Sequence, residues 1–135
     1  MGAVDYLMVL VSDMDRSVDF YENKLGLRLL SRSEMWSEFD AGTTRLALHG
    51  GGTPANPSDP LPDGERIAGQ CSLGFNVADV DRTYRELRAK GVEFDLPPED
   101  RLPRIRLAVA HDPDGVSLSF RQRLTSPAAG DPPKG

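Results

Sequence analysis

Few side chains in this sequence are equipped for chemistry, and their scarcity narrows what the protein can do. It has two histidines, His49 and His111, one cysteine, Cys71, and one tryptophan, Trp36. His49 ends an apolar strand beside Gly50, where it could bind a ligand or act as a general base. It is a candidate for a catalytic role, and an exposed histidine at a strand end is its plainer reading. His111 precedes the Asp112-Pro113-Asp114-Gly115 turn and reads as a turn-flanking residue. Cys71 reads as a buried, inert thiol. Trp36 shares one strand face with Glu38 and Asp40. Such a trio could stack on a planar ligand and hold a cation, although a core or subunit interface would suit Trp36 as well.

The totals bound the rest. A length of 135 residues, 39% hydrophobic and 27% charged, fits one folded domain. The net charge of −5, from 16 basic and 21 acidic residues, argues against a nucleic-acid partner, which needs a basic face. No stretch is apolar enough to span a bilayer, and Asp5 interrupts an N-terminus that has no basic leader region. A single cysteine permits no internal disulfide and gives no sign of an oxidising compartment. A cytoplasmic protein is expected.

The elements that position these residues come in two copies. Val11-Ser12-Asp13-Met14-Asp15-Arg16-Ser17 recurs as Val77-Ala78-Asp79-Val80-Asp81-Arg82-Thr83. A repeat of this kind signals one supersecondary unit used twice. Each copy follows a strand pattern, at 4–11 and at 70–77. Asp13 and Asp79 suit helix N-caps, and Asp15 complements the dipole. Met14, Val18, Tyr21 and Leu25 line one helical face, as do Val80, Tyr84 and Leu87. Gly26 and Gly91 suit the left-handed stops.

Strands are expected at 27–30, 35–40 and 45–49 in the first unit. In the second they are expected at 92–96, 104–111 and 116–121, with a proline-rich turn over 97–103. Between the units, 50–69 carries Gly50-Gly51-Gly52 and four prolines. It reads as a linker that could also cover a cavity. The tail 125–135 reads as disordered.

The paired β-α-β-β-β pattern, the V-x-D-x-D-R-[ST] helix openings, Phe20-Tyr21 followed by Leu25-Gly26-Leu27, and the D-P-D-G turn before the last strand resemble the vicinal oxygen chelate superfamily. Its members include glyoxalase I, extradiol dioxygenases, fosfomycin-resistance proteins and bleomycin-resistance proteins. The resemblance spans 4–123. It implies an α+β fold in a single domain, 1–124, of two tandem βαβββ modules, 4–49 and 70–123, curled into a half-barrel cavity. It also implies a homodimer. It does not by itself name a reaction.

Metal-dependent members place ligands on the first and last strands of each unit. By resemblance the matching positions here are Tyr6, Ala47, Ser72 and Ser119. A divalent ion wants imidazole or carboxylate donors. Alanine has none, and serine and neutral tyrosine are poor ones. No metal and no other cofactor is therefore expected. Small residues at these places leave room for a ligand unless larger neighbours fill it.

Alternation along the strands adds Met8 and His49 to the face of Tyr6 and Ala47. It adds Asn76 and Arg121 to the face of Ser72 and Ser119. With Trp36, these form the expected ligand-binding set. Arg45 and Arg121 could anchor an anion. The expected function is metal-free binding of a small molecule, of the drug-sequestering kind. The alternative is a lyase, isomerase or dioxygenase-like enzyme. It would use an atypical metal site drawn from His49, Glu38 or His111, or metal-free acid–base chemistry by Tyr6 and His49. A third reading is an interaction module with no ligand.

Overall fold

Asp13 and Asp79 open the two helices in the same way. In each case the aspartate has extended backbone, with φ −142° and −145°. Its Oδ1 accepts the amide of the residue three places on, Arg16 at 3.0 Å and Arg82 at 3.1 Å. A cap of this type is worth about 1 kcal/mol. The repeated heptad is thus a repeated helix start. The structure is a computed structural model and describes residues 1–54, 71–101 and 104–124.

Two compact units divide the chain. The first covers Met1–Gln70 together with the turn Asp112–Gly115. It contains β1 (Tyr6–Leu10), α1 (Met14–Asp19), a π-helical turn (Phe20–Lys24), β2 (Arg28–Ser31), β3 (Trp36–Asp40) and β4 (Arg45–His49). Its sheet runs β1-β4-β3-β2, with β1 parallel to β4 and the other pairs antiparallel. The second unit covers Cys71–His111 and Val116–Gly135. It contains β5 (Leu73–Asn76), α2 (Val80–Ala89), β6 (Phe94–Arg101), β7 (Ile105–His111) and β8 (Ser117–Arg123). Its sheet runs β5-β8-β7-β6, and β5 is parallel to β8. The fold is α+β, built from two βαβββ modules, and neither sheet closes into a barrel.

Each unit has its own core. Val18, Phe20, Tyr21, Phe39, Leu46 and Leu48 are buried in the first. The Tyr21 and Phe39 rings lie 6.0 Å apart. In the second, Val80, Leu87, Val92, Ala108, Ala110, Leu118 and Phe120 are buried. Gly26 and Gly91 stop the helices at φ +78° and +88°, a region that favours glycine.

Several expectations need correction. The first helix does not run evenly to Leu25. Its last turn widens, with the Leu25 amide bonding the Phe20 carbonyl at 3.0 Å. The neighbouring rings Phe20 and Tyr21 are both buried in this turn. The proline-rich stretch at 97–101 is strand, not turn. β6 carries Pro97 and Pro98 because it is an edge strand whose register shifts on either side of Leu96, so no regular ladder bond is lost.

Gly50 and Gly52, at the start of the expected linker, are docked by their backbone. Gly50 N–H bonds Met35 O, and Gly52 N–H bonds Val11 O, both at 2.9 Å. A Cβ on Gly52 would stand 2.9 Å from the Val11 carbonyl oxygen. Residues 55–69 of the expected linker and the tail 125–135 lie outside the described residues. Strand β5 begins at Leu73, so Cys71 and Ser72 precede it and both are exposed, which overturns the buried thiol.

The Asp112–Gly115 turn belongs to the first unit through specific bonds. The Tyr21 hydroxyl donates to Asp112 Oδ2 at 2.7 Å, and both side chains are buried. Ser12 N–H and Oγ–H both donate to the Asp114 carboxylate. Burial, and then the Asp112 charge, push the Tyr21 hydroxyl well above its ordinary pKa.

Candidate functional site

Alternation gives the first unit's sheet two unlike faces. Leu46, Leu48, Phe39 and Ser37 are buried in the core. The opposite face is set by register. Tyr6, Met8 and Leu10 on β1 pair with Arg45, Ala47 and His49 on β4, which pair in turn with Asp40, Glu38 and Trp36 on β3. Five predicted site residues, Tyr6, Met8, Trp36, Ala47 and His49, therefore share one face.

Ala47 is the centre of that face, and it is fully buried. Tyr6 lies one pair below it in register and Trp36 one pair above, on opposite flanking strands. Their rings meet edge to face, 5.3 Å apart at 89°. The rings reach each other across β4 over the position that Ala47 occupies, which a larger side chain would obstruct. The expected open space beside Ala47 is thus filled by aromatic rings.

The Trp36 ring is held on several sides. His49 stands perpendicular to it, 6.0 Å away at 87°. The indole N–H donates to Glu38 Oε2 at 2.7 Å. Arg45 Nη1 donates to the other oxygen, Glu38 Oε1, at 3.1 Å. The Trp36 hydrogen bond, and then that from Arg45, hold the Glu38 carboxyl below the usual range. His49 Nδ1 lies 2.6 Å from the Gly50 carbonyl. A carbonyl only accepts, so Nδ1 carries the proton, and the neutral ring keeps its lone pair on Nε2.

Around this cluster the surface is apolar and open. Tyr6, Met8 and Leu10 are 46%, 49% and 54% exposed. An open cavity of about 410 Å³ takes in Arg45 and Asp40 from the lower end of the face. A larger one, about 710 Å³, is lined by Asp13, Asp15, Arg32, Glu34 and Met35 and by none of the predicted site residues.

The second unit repeats the register. Gly74 pairs with Ser119 and Asn76 with Arg121, as Met8 pairs with Ala47. A Cβ at Gly74 would sit 3.3 Å from Ser119 Oγ. Asn76 and Arg121 are exposed, and Ser119 is half-buried. Ser72 lies outside the ladder, ahead of β5.

The positions matching the family's metal ligands carry few donors. Ala47 has no donor atom and is buried, Ser72 is an exposed hydroxyl, and Ser119 offers only a hydroxyl against Gly74. These residues do not fit a divalent ion. Among the described residues, no group of three or more His, Cys, Asp and Glu could hold one.

Sequence reasoning missed two side-chain ties. It groups Glu38 with Trp36 and reads Arg45 as a possible anion anchor without joining the two, because a diagonal cross-strand ion pair depends on register. It also took His111 as a turn-flanking residue. His111 Nδ1 meets the Asp95 carboxylate and Nε2 meets Glu93 Oε2, each at 3.0 Å. These bonds, Asp95 first, raise its pKa.

A doubled βαβββ module, with a helix on one face of each mixed sheet, defines a glyoxalase-type fold. A model of the Glyoxalase/Bleomycin resistance protein/Dioxygenase superfamily matches residues 3–120, and the chain belongs to that superfamily. It is 34% identical to YraH of Bacillus subtilis strain 168 over 124 residues, covering 87% of this chain and 96% of YraH. It is 26% identical to the metallothiol transferase FosB of Lysinibacillus sphaericus, covering 87% and 80% of the two chains. A crystal structure of a glyoxalase/bleomycin resistance protein/dioxygenase from Nocardioides superposes with a TM-score of 0.69. That pair is 25% identical, with 98% and 91% of the chains covered.

Proposed function

We propose that the protein binds a small, flat, largely apolar molecule on the open face of its first sheet, without a metal ion, and sequesters it. The observation that supports this reading is the aromatic cluster of Tyr6, Trp36 and His49, flanked by exposed Met8 and Leu10, around a buried Ala47 that has no donor atom where metal-dependent relatives place a ligand. Apolar walls with a few fixed polar groups are the ordinary composition of a small-molecule site. The donor set argues against carrying over the metallothiol transferase activity named for FosB.

The same reading takes the protein as a cytoplasmic homodimer. β1 is an edge strand, and Leu7, Met8 and Leu10 on its two faces are about half exposed, a liability that a second copy would cover. Size-exclusion chromatography with light scattering reads the oligomeric state.

The binding experiment is elemental analysis of the purified protein followed by a thermal-shift screen with planar antibiotics and thiol adducts. A ligand that binds only the folded state raises the melting temperature by mass action. We expect sub-stoichiometric metal and a stabilising planar compound whose effect is lost in Trp36→Ala. Stoichiometric, tightly held Ni, Zn, Fe or Mn would overturn the reading.

One observation favours acid–base chemistry as a second reading. The Nδ1–H bond to Gly50 leaves His49 Nε2 as the ring's proton acceptor. Turnover of an α-ketoaldehyde–thiol adduct or a catechol, lost in His49→Ala, would establish it.

A further inference from the structure

We infer that Glu38 is a positioning residue: braced by Arg45, it locks the Trp36 indole across Ala47 and so sets the shape of the ligand face. The inference rests on that face being the binding site, but the lock can be tested apart from binding.

Three observations converge on it. Glu38 uses one oxygen for each partner, 2.7 Å to the Trp36 N–H and 3.1 Å to Arg45, so one carboxylate ties β3 to β4 and both to the indole. The rings of Tyr6 and His49 both stand perpendicular to the indole, so rotation about its side-chain bonds is hindered by them as well. Ala47 is buried and offers only a methyl group to resist a shift, so the ring position depends on these outer contacts. A ring ordered before the ligand arrives loses less conformational freedom on binding.

The experiment exploits Trp36 being the only tryptophan. Its emission and acrylamide quenching are recorded in the wild type and in Glu38→Ala, Glu38→Gln, Arg45→Met and Arg45→Lys. The affinity of the neutral probe N-phenyl-1-naphthylamine is measured alongside. Glu38→Ala removes the acceptor. Its quenching constant should rise about twofold or more and its probe affinity should fall about threefold or more, the scale of one lost hydrogen bond. Glu38→Gln keeps an acceptor oxygen and should stay closer to wild type in both.

Acid titration adds a readout that a merely structural residue would not move. The Trp36 signal should change with a midpoint below the ordinary glutamate value. That midpoint should rise in Arg45→Met and return in Arg45→Lys. Circular dichroism confirms that each variant folds, and Arg45→Met tests the brace should Glu38→Ala fail to fold. Unchanged quenching and an unchanged acid midpoint across these variants would overturn the lock. If the lock responds as expected but no variant alters probe binding, the ligand-face role is overturned while the Trp36 restraint stands.

Discussion

The Tyr21 hydroxyl donates to Asp112 Oδ2 at 2.7 Å, joining the first helical segment to the turn before the last strand. Both groups are buried, so the bond forms where water cannot replace it. Deleting one partner leaves a carboxylate oxygen short of a donor, which costs about 1–3 kcal/mol. Tyr21→Phe should therefore lower stability by that amount in urea unfolding. The raised pKa of Tyr21 means that the folded state holds the phenol proton more tightly than the unfolded chain does. Its contribution is fully present below about pH 10, the unfolded value, and is lost as pH rises above that. The wild type should thus show an alkaline loss of stability that Tyr21→Phe lacks.

His111 titrates between two carboxylates, and its folded-state pKa is raised, by Asp95 first and Glu93 after it. The charged ring donates from both nitrogens, and deprotonation removes one donor. Its stabilisation is complete below about pH 6.5, the ordinary histidine value, and declines as pH rises through the folded value. Ring resonances followed by NMR should give His111 a midpoint above 6.5. A midpoint at or below the ordinary value would show that the Asp95 and Glu93 bonds are absent in solution.

Ala47→Leu places a branched side chain where the Tyr6 and Trp36 rings meet. Overpacking of this kind costs about 1–3 kcal/mol. The expected result is a lower melting temperature together with red-shifted, more quenchable Trp36 emission. Wild-type fluorescence in a stable Ala47→Leu protein would mean that the rings do not cross over this position.

Short-range signals carried most of the fold. Asp13 and Asp79 cap helices through amides three residues away, and Gly26 and Gly91 end them by backbone conformation alone, so a local reading suffices. Strand alternation likewise paired Tyr6 with Met8, Ala47 with His49 and Trp36 with Glu38 along their own strands, because facing within a strand depends only on parity, whereas register between strands brings the three sets to one face. Other features need partners that are distant in sequence. Pro97 and Pro98 sit in a strand because β6 is an edge, and edge position is a property of the sheet. The room beside Ala47 is filled by two rings that must reach over a neighbouring strand, and residue size at position 47 cannot report what its neighbours do. The ties from Glu38 to Arg45 and from Tyr21 to Asp112 depend on register and on packing between segments. Residue types and spacing therefore specified the modules and the facing of residues along each strand, whereas side-chain reach across strands determined that the Ala47 face is a braced aromatic surface.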